Sequence, residues 1–244
     1  MRELLKELEQ SNIELEQFAY VASHDLQEPL RMVSSFLQLL ERKYHNQLDD
    51  DGKEFIHFAV DGANRMKTLI NDLLKYSRVG TRGKPFTKTD MNVVIRQVIT
   101  NLSSSLEESG VKVDLSHLPD INADESQMIQ LFQNLVSNAI KFRGQVDPFV
   151  KINSSESDEA LTFTIEDNGI GIEPRFHDRI FVIFQRLHTP DKYPGTGIGL
   201  SVCKKIVDRH HGEIKLESES GKGTKFKIVL PKHLQSGTTN TTNK

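Results

Sequence analysis

The feature that most constrains this chain is an unbroken apolar seam near its start. Leu5, Leu8, Asn12, Leu15, Ala19, Ala22, Leu26, Pro29, Val33, Phe36 and Leu40 follow one another at alternating spacings of three and four residues. Only a long α-helix gathers positions so spaced into one stripe, and a seven-residue repeat calls for further helices to cover it. Asn12 is the one polar member, of the kind that fixes register between paired helices. A second seam runs through Ile56, Ala59, Ala63, Met66, Ile70 and Leu73, widened by Phe55, Leu69 and Tyr76. Between them lies a polar stretch over 45–52 whose length suits an antiparallel turn. Two helices in a hairpin bury little by themselves, so a homodimeric four-helix bundle is the economical expectation. A plain coiled-coil spacer would show the same seams.

Beyond Tyr76 the periodicity stops. Residues 79–88, with Val79-Gly80-Thr81-Arg82-Gly83-Lys84-Pro85, read as a basic, Gly/Pro-punctuated linker. The remainder mixes α and β patterns. Asp90 can cap a helix reaching Ser109, and Asp124-Glu125-Ser126-Gln127 resembles a capping box opening a helix to Phe142. Strands are expected at Val111–Leu115, Phe149–Asn153 and Leu161–Glu166, and a further helix from Gly197 to His210, ended by Gly212. Glu213–Ser218 and Thr224–Leu230 alternate around Gly221-Lys222-Gly223 as a hairpin. The expected organisation is a helical domain over 1–78, the linker, a second domain over 89–233, and a disordered polar tail over 234–244.

Composition removes several classes. In 244 residues there is no apolar run near the ~18 that a membrane span needs, and no charged-then-apolar leader. Membrane insertion is not expected. The single cysteine, Cys203, rules out an internal disulfide scaffold and suits a reducing, cytoplasmic setting. Residues 1–51 hold 5 Lys and Arg against 11 Asp and Glu, while the rest hold 26 against 23. Neither part has the strong positive field of a nucleic-acid binder.

Chemistry gathers in four places. With Ala19 and Ala22 at the first and fourth heptad positions, His24 falls at the most outward one. Asp25 beside it can hold one ring nitrogen protonated, which leaves the other as a nucleophile. Pro29 is expected to kink or loosen the helix just after the histidine. Asn134, Asn138 and Lys141 share one face of the helix over 130–142, offering amide oxygens to a hard cation and an ammonium to phosphate. Asp167-Asn168-Gly169-Ile170-Gly171 follows a strand, and Gly195-Thr196-Gly197-Ile198-Gly199-Leu200-Ser201 opens a helix. Glycines there admit a ligand close to the backbone, and a helix N-terminus offers N–H groups to phosphate. The second run is neither a Walker A loop nor a dinucleotide fingerprint.

In this order the motifs resemble the kinase core of sensor histidine kinases, from about Leu15 to Pro231. The phosphoacceptor block and Phe184-Gln185-Arg186-Leu187-His188 look most like the phytochrome-like branch. The resemblance implies a dimerisation and phosphoacceptor hairpin followed by an α/β sandwich of the gyrase/Hsp90 ATPase type. It implies His24 as phosphoacceptor, Asp25 as its acid/base partner, and Asn138 as the Mg²⁺ ligand, with Asn134 one turn earlier and Lys141 on the phosphates. Asp167 would read the adenine amino group, within the box that holds Gly169 and Gly171. Phe181 and Phe184 would form the F box, and Arg186 would approach the γ-phosphate from a lid over 173–195. Gly195, Thr196, Gly197, Gly199 and Leu200 would form the second glycine box, and Thr224 belongs to the glycine turn that follows. ATP and Mg²⁺ are the implied cofactors. The implied partners are a second copy of the chain and the receiver domain of a response regulator, with a sensory module upstream.

One fit with the resemblance and one departure from it matter. Gyrase-like relatives carry a water-activating Glu where this chain has Asn134, a far poorer base, which favours transfer to His24 over hydrolysis. Where the family's phosphatase-linked motif places Thr or Asn, this chain has Glu28. A hydrolytic ATPase and an inactive dimerisation scaffold are the competing expectations; the first leaves the hairpin unexplained and the second the intact boxes.

Overall fold

The computed structural model describes residues 23, 25–81, 83–144, 147–187, 189, 193 and 195–232. The N-terminal part of the seam through Ala22, His24 itself and the tail expected to be disordered lie outside the described residues. The chain divides into two compact units, Met1–Thr81 and Arg82–Lys244.

In the first unit, helix α1 occupies 25–44, with Pro29 inside it, and helix α2 spans Asp50–Thr81. The N–H groups of Gln47 and Leu48 both bond to the Tyr44 carbonyl, at 2.8 and 3.0 Å, and make the turn. Asp50 and Asp51 then place negative charge on the first turn of α2, where the helix dipole favours it. Gln27 Nε2 donates to Asn71 Oδ1 at 3.0 Å, tying the antiparallel helices near their open end. Val79, Gly80 and Thr81, read from sequence as linker, continue α2.

Burial shows which stripe the two helices share. On α1 the half-buried positions are Gln27, Leu30, Ser34, Leu37 and Glu41, and on α2 they include Ile56, Val60, Ile70 and Leu74 beside buried Ala63. The α1 set has heptad spacing but sits one residue over from the seam read in the sequence. The seam residues Leu26 (54% exposed), Val33, Phe36 (64%) and Leu40 stay uncovered, as do Phe55 (68%), Phe58 and Met66.

The second unit is a sheet covered on one face by helices. Strands β2 (Lys112–Leu115), β4 (Phe149–Glu156), β5 (Ala160–Asp167), β6 (Glu213–Glu219) and β7 (Gly223–Pro231) lie in the order β2-β4-β5-β7-β6. All neighbours are antiparallel except β2 and β4. A separate antiparallel pair joins β1 (Thr87–Asp90) to β3 (Asp120–Ala123); neither strand was legible in the sequence. Helices α3 (Met91–Asn101), α5 (Glu125–Lys141) and α6 (Gly199–Arg209) send Ile95, Leu131, Phe132, Leu135, Val202 and Ile206 into the core. From the sheet come alternate residues such as Val150, Ile152, Phe163, Ile165 and Ile228. Phe132 meets Phe163 edge to face, with centroids 5.9 Å apart.

The helix ends follow from local chemistry. Asp90 caps α3, accepting from the N–H groups of Asn92 and Val93, and Asp124 caps α5 through the N–H of Gln127. The single helix expected from Asp90 to Ser109 is in fact two. It breaks at Leu102 before Ser103-Ser104-Ser105, poor helix formers, and resumes as α4 (Ser103–Ser109). Helix α6 starts at Gly199, two residues later than expected. At its other end the left-handed residue is His211 (φ 56°), not Gly212. Among the described residues no helix is long and apolar enough to cross a membrane.

Candidate nucleotide site

Three groups of sequence-predicted residues come together in the second unit. The first surrounds Asp167, at the end of β5. Its Oδ1 accepts the N–H of Gly169 at 2.8 Å and of Thr224 at 3.2 Å. Among the described residues, no hydrogen bond reaches Oδ2. Burial pushes the Asp167 carboxyl up to about 6, outweighing the two N–H bonds, and nearby Glu166 adds to the rise. Gly223 brings the backbone against this group. Its φ is 93°, and a β-carbon there would stand 2.0 Å from the Asp167 carbonyl oxygen, so only glycine fits.

The second group is cationic. Lys141, in the last turn of α5, is half-buried. Burial, and then the charge of neighbouring Arg186, hold its ammonium below the ordinary lysine range. Lys141 Nζ lies 4.4 Å from the centroid of the Phe142 ring, and a β-carbon on Gly195 would stand 3.0 Å from it. Arg186 donates to the Tyr193 carbonyl at 2.8 Å, and the Tyr193 ring packs on Phe142 with centroids 4.8 Å apart. Among the described residues, no carboxylate pairs with Lys141 or Arg186. Two cations held side by side without counter-ions form a site that an anion completes.

The third group joins α5 to the start of α6. Asn134 Nδ2 donates to the Gly199 carbonyl at 3.2 Å. Cys203, fully buried one turn further along α6, has its thiol pushed up to about 12 by burial, so it is inert packing. Gly197 (φ 77°) lies against the backbone of Phe184 and Gln185, where a β-carbon would meet the Gln185 carbonyl oxygen at 2.8 Å. Phe184 is exposed and itself left-handed (φ 64°), an uncommon state for a bulky residue. Asn138 is half-buried one turn from both Asn134 and Lys141, and Gly171, Thr196 and Leu200 are half-buried in the two glycine runs. Phe181 is half-buried near Phe184 in sequence, and Asp25 is exposed at the start of α1 in the first unit.

Sequence reasoning missed the supports. Ser218 donates to the Gly223 carbonyl at 2.7 Å and accepts the Ile172 N–H at 2.8 Å. Phe142 and Tyr193 frame the cations. His210 and Arg209, at the far end of α6, stack on and cover Phe86. Apart from that of Ser218 with Gly223, these contacts link residues far apart in sequence, so no spacing announces them.

Among the described residues, a carboxylate with one oxygen open, two cations that no carboxylate pairs and an amide-bearing helix face thus lie in one unit. Residues 14–82 match the His Kinase A (phospho-acceptor) domain, and 123–234 match the histidine kinase-, DNA gyrase B- and HSP90-like ATPase domain. The chain belongs to the histidine kinases and is a transmitter region of the two-component type. It is 49% identical over 231 residues to the phytochrome-like protein Cph1 of Synechocystis sp., covering 95% of this chain and 31% of that protein. The chain thus spans less than a third of this relative. Among solved structures it is similar to full-length ShkA in complex with AMPPNP, with a TM-score of 0.66 and 26% identity over 88% of this chain and 45% of that one. It is also similar to histidine kinase ThkA in complex with the response regulator protein TrrA, with a TM-score of 0.62 and 25% identity over 97% of this chain and 67% of that one.

Proposed function

We propose that this chain transfers the γ-phosphoryl group of ATP to His24 and from there to an aspartate on the receiver domain of a response regulator. The observation that carries the reading is Lys141, a desolvated cation beside Arg186, with no carboxylate among the described residues to neutralise either. An imidazole nitrogen of His24 attacks the γ-phosphorus. The N–P bond forms as the bond to the β,γ-bridging oxygen breaks, ADP leaves, and the imidazole proton passes to Asp25. Lys141 and Arg186 spread the charge on the transferring group, Asp167 Oδ2 accepts from the adenine amino group, and the glycine runs with Thr196 and Leu200 line the triphosphate.

Asn138 suits Mg²⁺, because a single amide oxygen joined by phosphate oxygens and water is the kind of set this ion takes. When bound, the ion would act as a Lewis acid that draws charge from the phosphates. Asn134 spends its amide on Gly199 and has no basic group with which to activate water. Transfer to His24 is therefore favoured over hydrolysis. We read the unit that ends at Thr81 as the phosphoacceptor domain and the unit that begins at Arg82 as the catalytic domain. The chain acts as a cytoplasmic homodimer that receives its signal from a separate sensory module.

Single-turnover labelling with γ-labelled ATP tests this. The expected product is acid-labile, base-stable phosphate, lost in His24→Gln with nucleotide binding intact. Asn138→Ala should weaken Mg·ATP binding while leaving His24 a competent acceptor. Acid-labile label on His24→Gln would overturn the assignment.

A further inference from the structure

Strand register sets three residues in one row across the sheet. Asp167 on β5 pairs with Thr224 on β7, and Thr224 pairs with Ser218 on β6. The peptide unit between Gly223 and Thr224 is held at both ends. Its N–H donates to Asp167 Oδ1 at 3.2 Å, and its carbonyl accepts the Ser218 hydroxyl at 2.7 Å. The same hydroxyl oxygen accepts the N–H of Ile172 at 2.8 Å, at the end of the loop whose Gly169 N–H is the other donor to Asp167 Oδ1. Thr224 Oγ1 lies 3.3 Å from it. One hydroxyl thus holds the peptide that carries one of the carboxylate's donors and anchors the end of the loop that carries the other.

We propose that Ser218 is a positioning residue for base recognition: it fixes the two backbone donors that aim Asp167 Oδ2 at the 6-amino group of the purine. This rests on the assignment of Asp167 as the adenine reader. A hydroxyl is the right group for the place, since it donates one hydrogen bond and accepts two. Alanine would leave the Gly223 carbonyl and the Ile172 N–H without this partner, free to turn. The carboxylate would keep its charge and lose its aim. The effect should fall on recognition of the base and spare the phosphates, which are held by Lys141 and Arg186.

The test compares ATP with purine riboside triphosphate, which lacks the 6-amino group, by equilibrium binding and by labelling at saturating nucleotide. Ser218→Ala should lower the preference for ATP roughly tenfold, the scale of one well-placed hydrogen bond to a charged group. It should leave affinity for purine riboside triphosphate and the saturated labelling rate nearly unchanged. Ser218→Thr should restore the preference. Ser218→Cys, close in shape but a weak donor, should fall between and serves if the alanine variant folds poorly. In the Asp167→Asn background Ser218→Ala should add nothing. Equal weakening toward both nucleotides, or an effect additive with Asp167→Asn, would mean Ser218 only stabilises the hairpin and would overturn the proposal. If Asp167→Asn leaves the preference intact, the adenine assignment falls, and this inference falls with it.

Discussion

Arg209 Nη1 lies 3.2 Å from Asp124 Oδ2, and the carboxylate that it meets is only 1% exposed. Asp124 also caps α5 and accepts the Lys84 N–H at 2.6 Å, while Arg209 donates to the Lys84 carbonyl at 2.7 Å and to Gln127 Oε1 at 2.8 Å. The pair therefore clasps residues 84–86 onto α5 and α6. Burial alone would raise the Asp124 carboxyl. The bonds from Ser126, Lys84 and Gln127, with the charge of Arg209, instead hold it below the ordinary aspartate range. Removing Arg209 strands a buried carboxylate, a change that costs about 3 kcal/mol where a buried pair is broken. Urea unfolding of the ATP-binding domain in Arg209→Ala should show that loss, with a smaller loss in Arg209→Lys. No change in midpoint would mean that the pair is only a surface contact.

His210 belongs to the same clasp and makes it sensitive to pH. Its ring stacks on Phe86 with centroids 4.3 Å apart. Nδ1 faces the Ile206 carbonyl at 2.8 Å, and Nε2 accepts the Asp124 N–H at 3.2 Å. A proton on Nε2 would put two donors face to face. Burial first, then the charge of Arg209, lower the His210 value from the usual 6.5. Between the folded value and 6.5 the unfolded chain binds more protons, so this contribution is full above pH 6.5 and falls as pH drops below it. Unfolding midpoints at pH 7.5 and 5.5 should differ less in His210→Gln, whose amide supplies an acceptor without a titration. An unchanged pH dependence in that variant would remove His210 as its source.

Asp167 acts with the opposite sign. Its folded value of about 6 exceeds the ordinary 3.8, so the folded state binds more protons between those limits and the contribution declines as pH rises through 6. At pH 7.5 the domain holds Asp167 as a desolvated carboxylate, a cost to the fold. Asp167→Asn keeps an acceptor for Gly169 and Thr224 while discarding the charge. It should raise the melting temperature at pH 7.5, give no gain at pH 4, and weaken ATP binding. A lower melting temperature at pH 7.5 would show that the charge is not a burden to the fold.

Helix α6 closes with two bonds, Gly212 N–H to the Val207 carbonyl and His211 N–H to the Asp208 carbonyl, both at 2.9 Å. This geometry puts His211 at the left-handed position where glycine is usual. A side chain there costs about 1 kcal/mol. His211→Gly should raise stability by that order without altering nucleotide affinity, as thermal melts and binding curves can check.

The motifs proposed to touch nucleotide were legible because each sits on one helix or one turn, where spacing becomes geometry. Asn134, Asn138 and Lys141 needed only the 3.6-residue period, and Asp124 only its place before an apolar run. The supports were not legible. Ser218 matters through residues 172 and 223, and His210 through residues 86 and 124, and such contacts depend on sheet order and strand register. The short strands β1 and β3 were missed because four residues carry too little alternation to read. Gly212 is the expected helix end because glycine is the usual left-handed residue, whereas the left-handed backbone falls one residue earlier, at His211.

The hairpin seam yields the last prediction. Within one chain, α1 and α2 bury the stripe of Leu30, Ser34 and Leu37, while the heptad seam through Val33, Phe36 and Leu40 stays exposed. A row of large apolar side chains at regular spacing in water is a strong liability unless something covers it. A second hairpin carries the same row and would complete a four-helix bundle. Leu40 and Leu73, 45% and 36% exposed, are therefore the places to tell the two states apart. In a lone hairpin, aspartate at either position would remain hydrated and cost little. In a bundle it would bury unpaired charge at several kcal/mol per site. Sedimentation should show a dimer of the native chain and a monomer near 27.7 kDa for the Leu40→Asp, Leu73→Asp double variant, with the ATP-binding domain still folded. A native chain that sediments as a monomer at micromolar concentration would leave the exposed seam for a different partner.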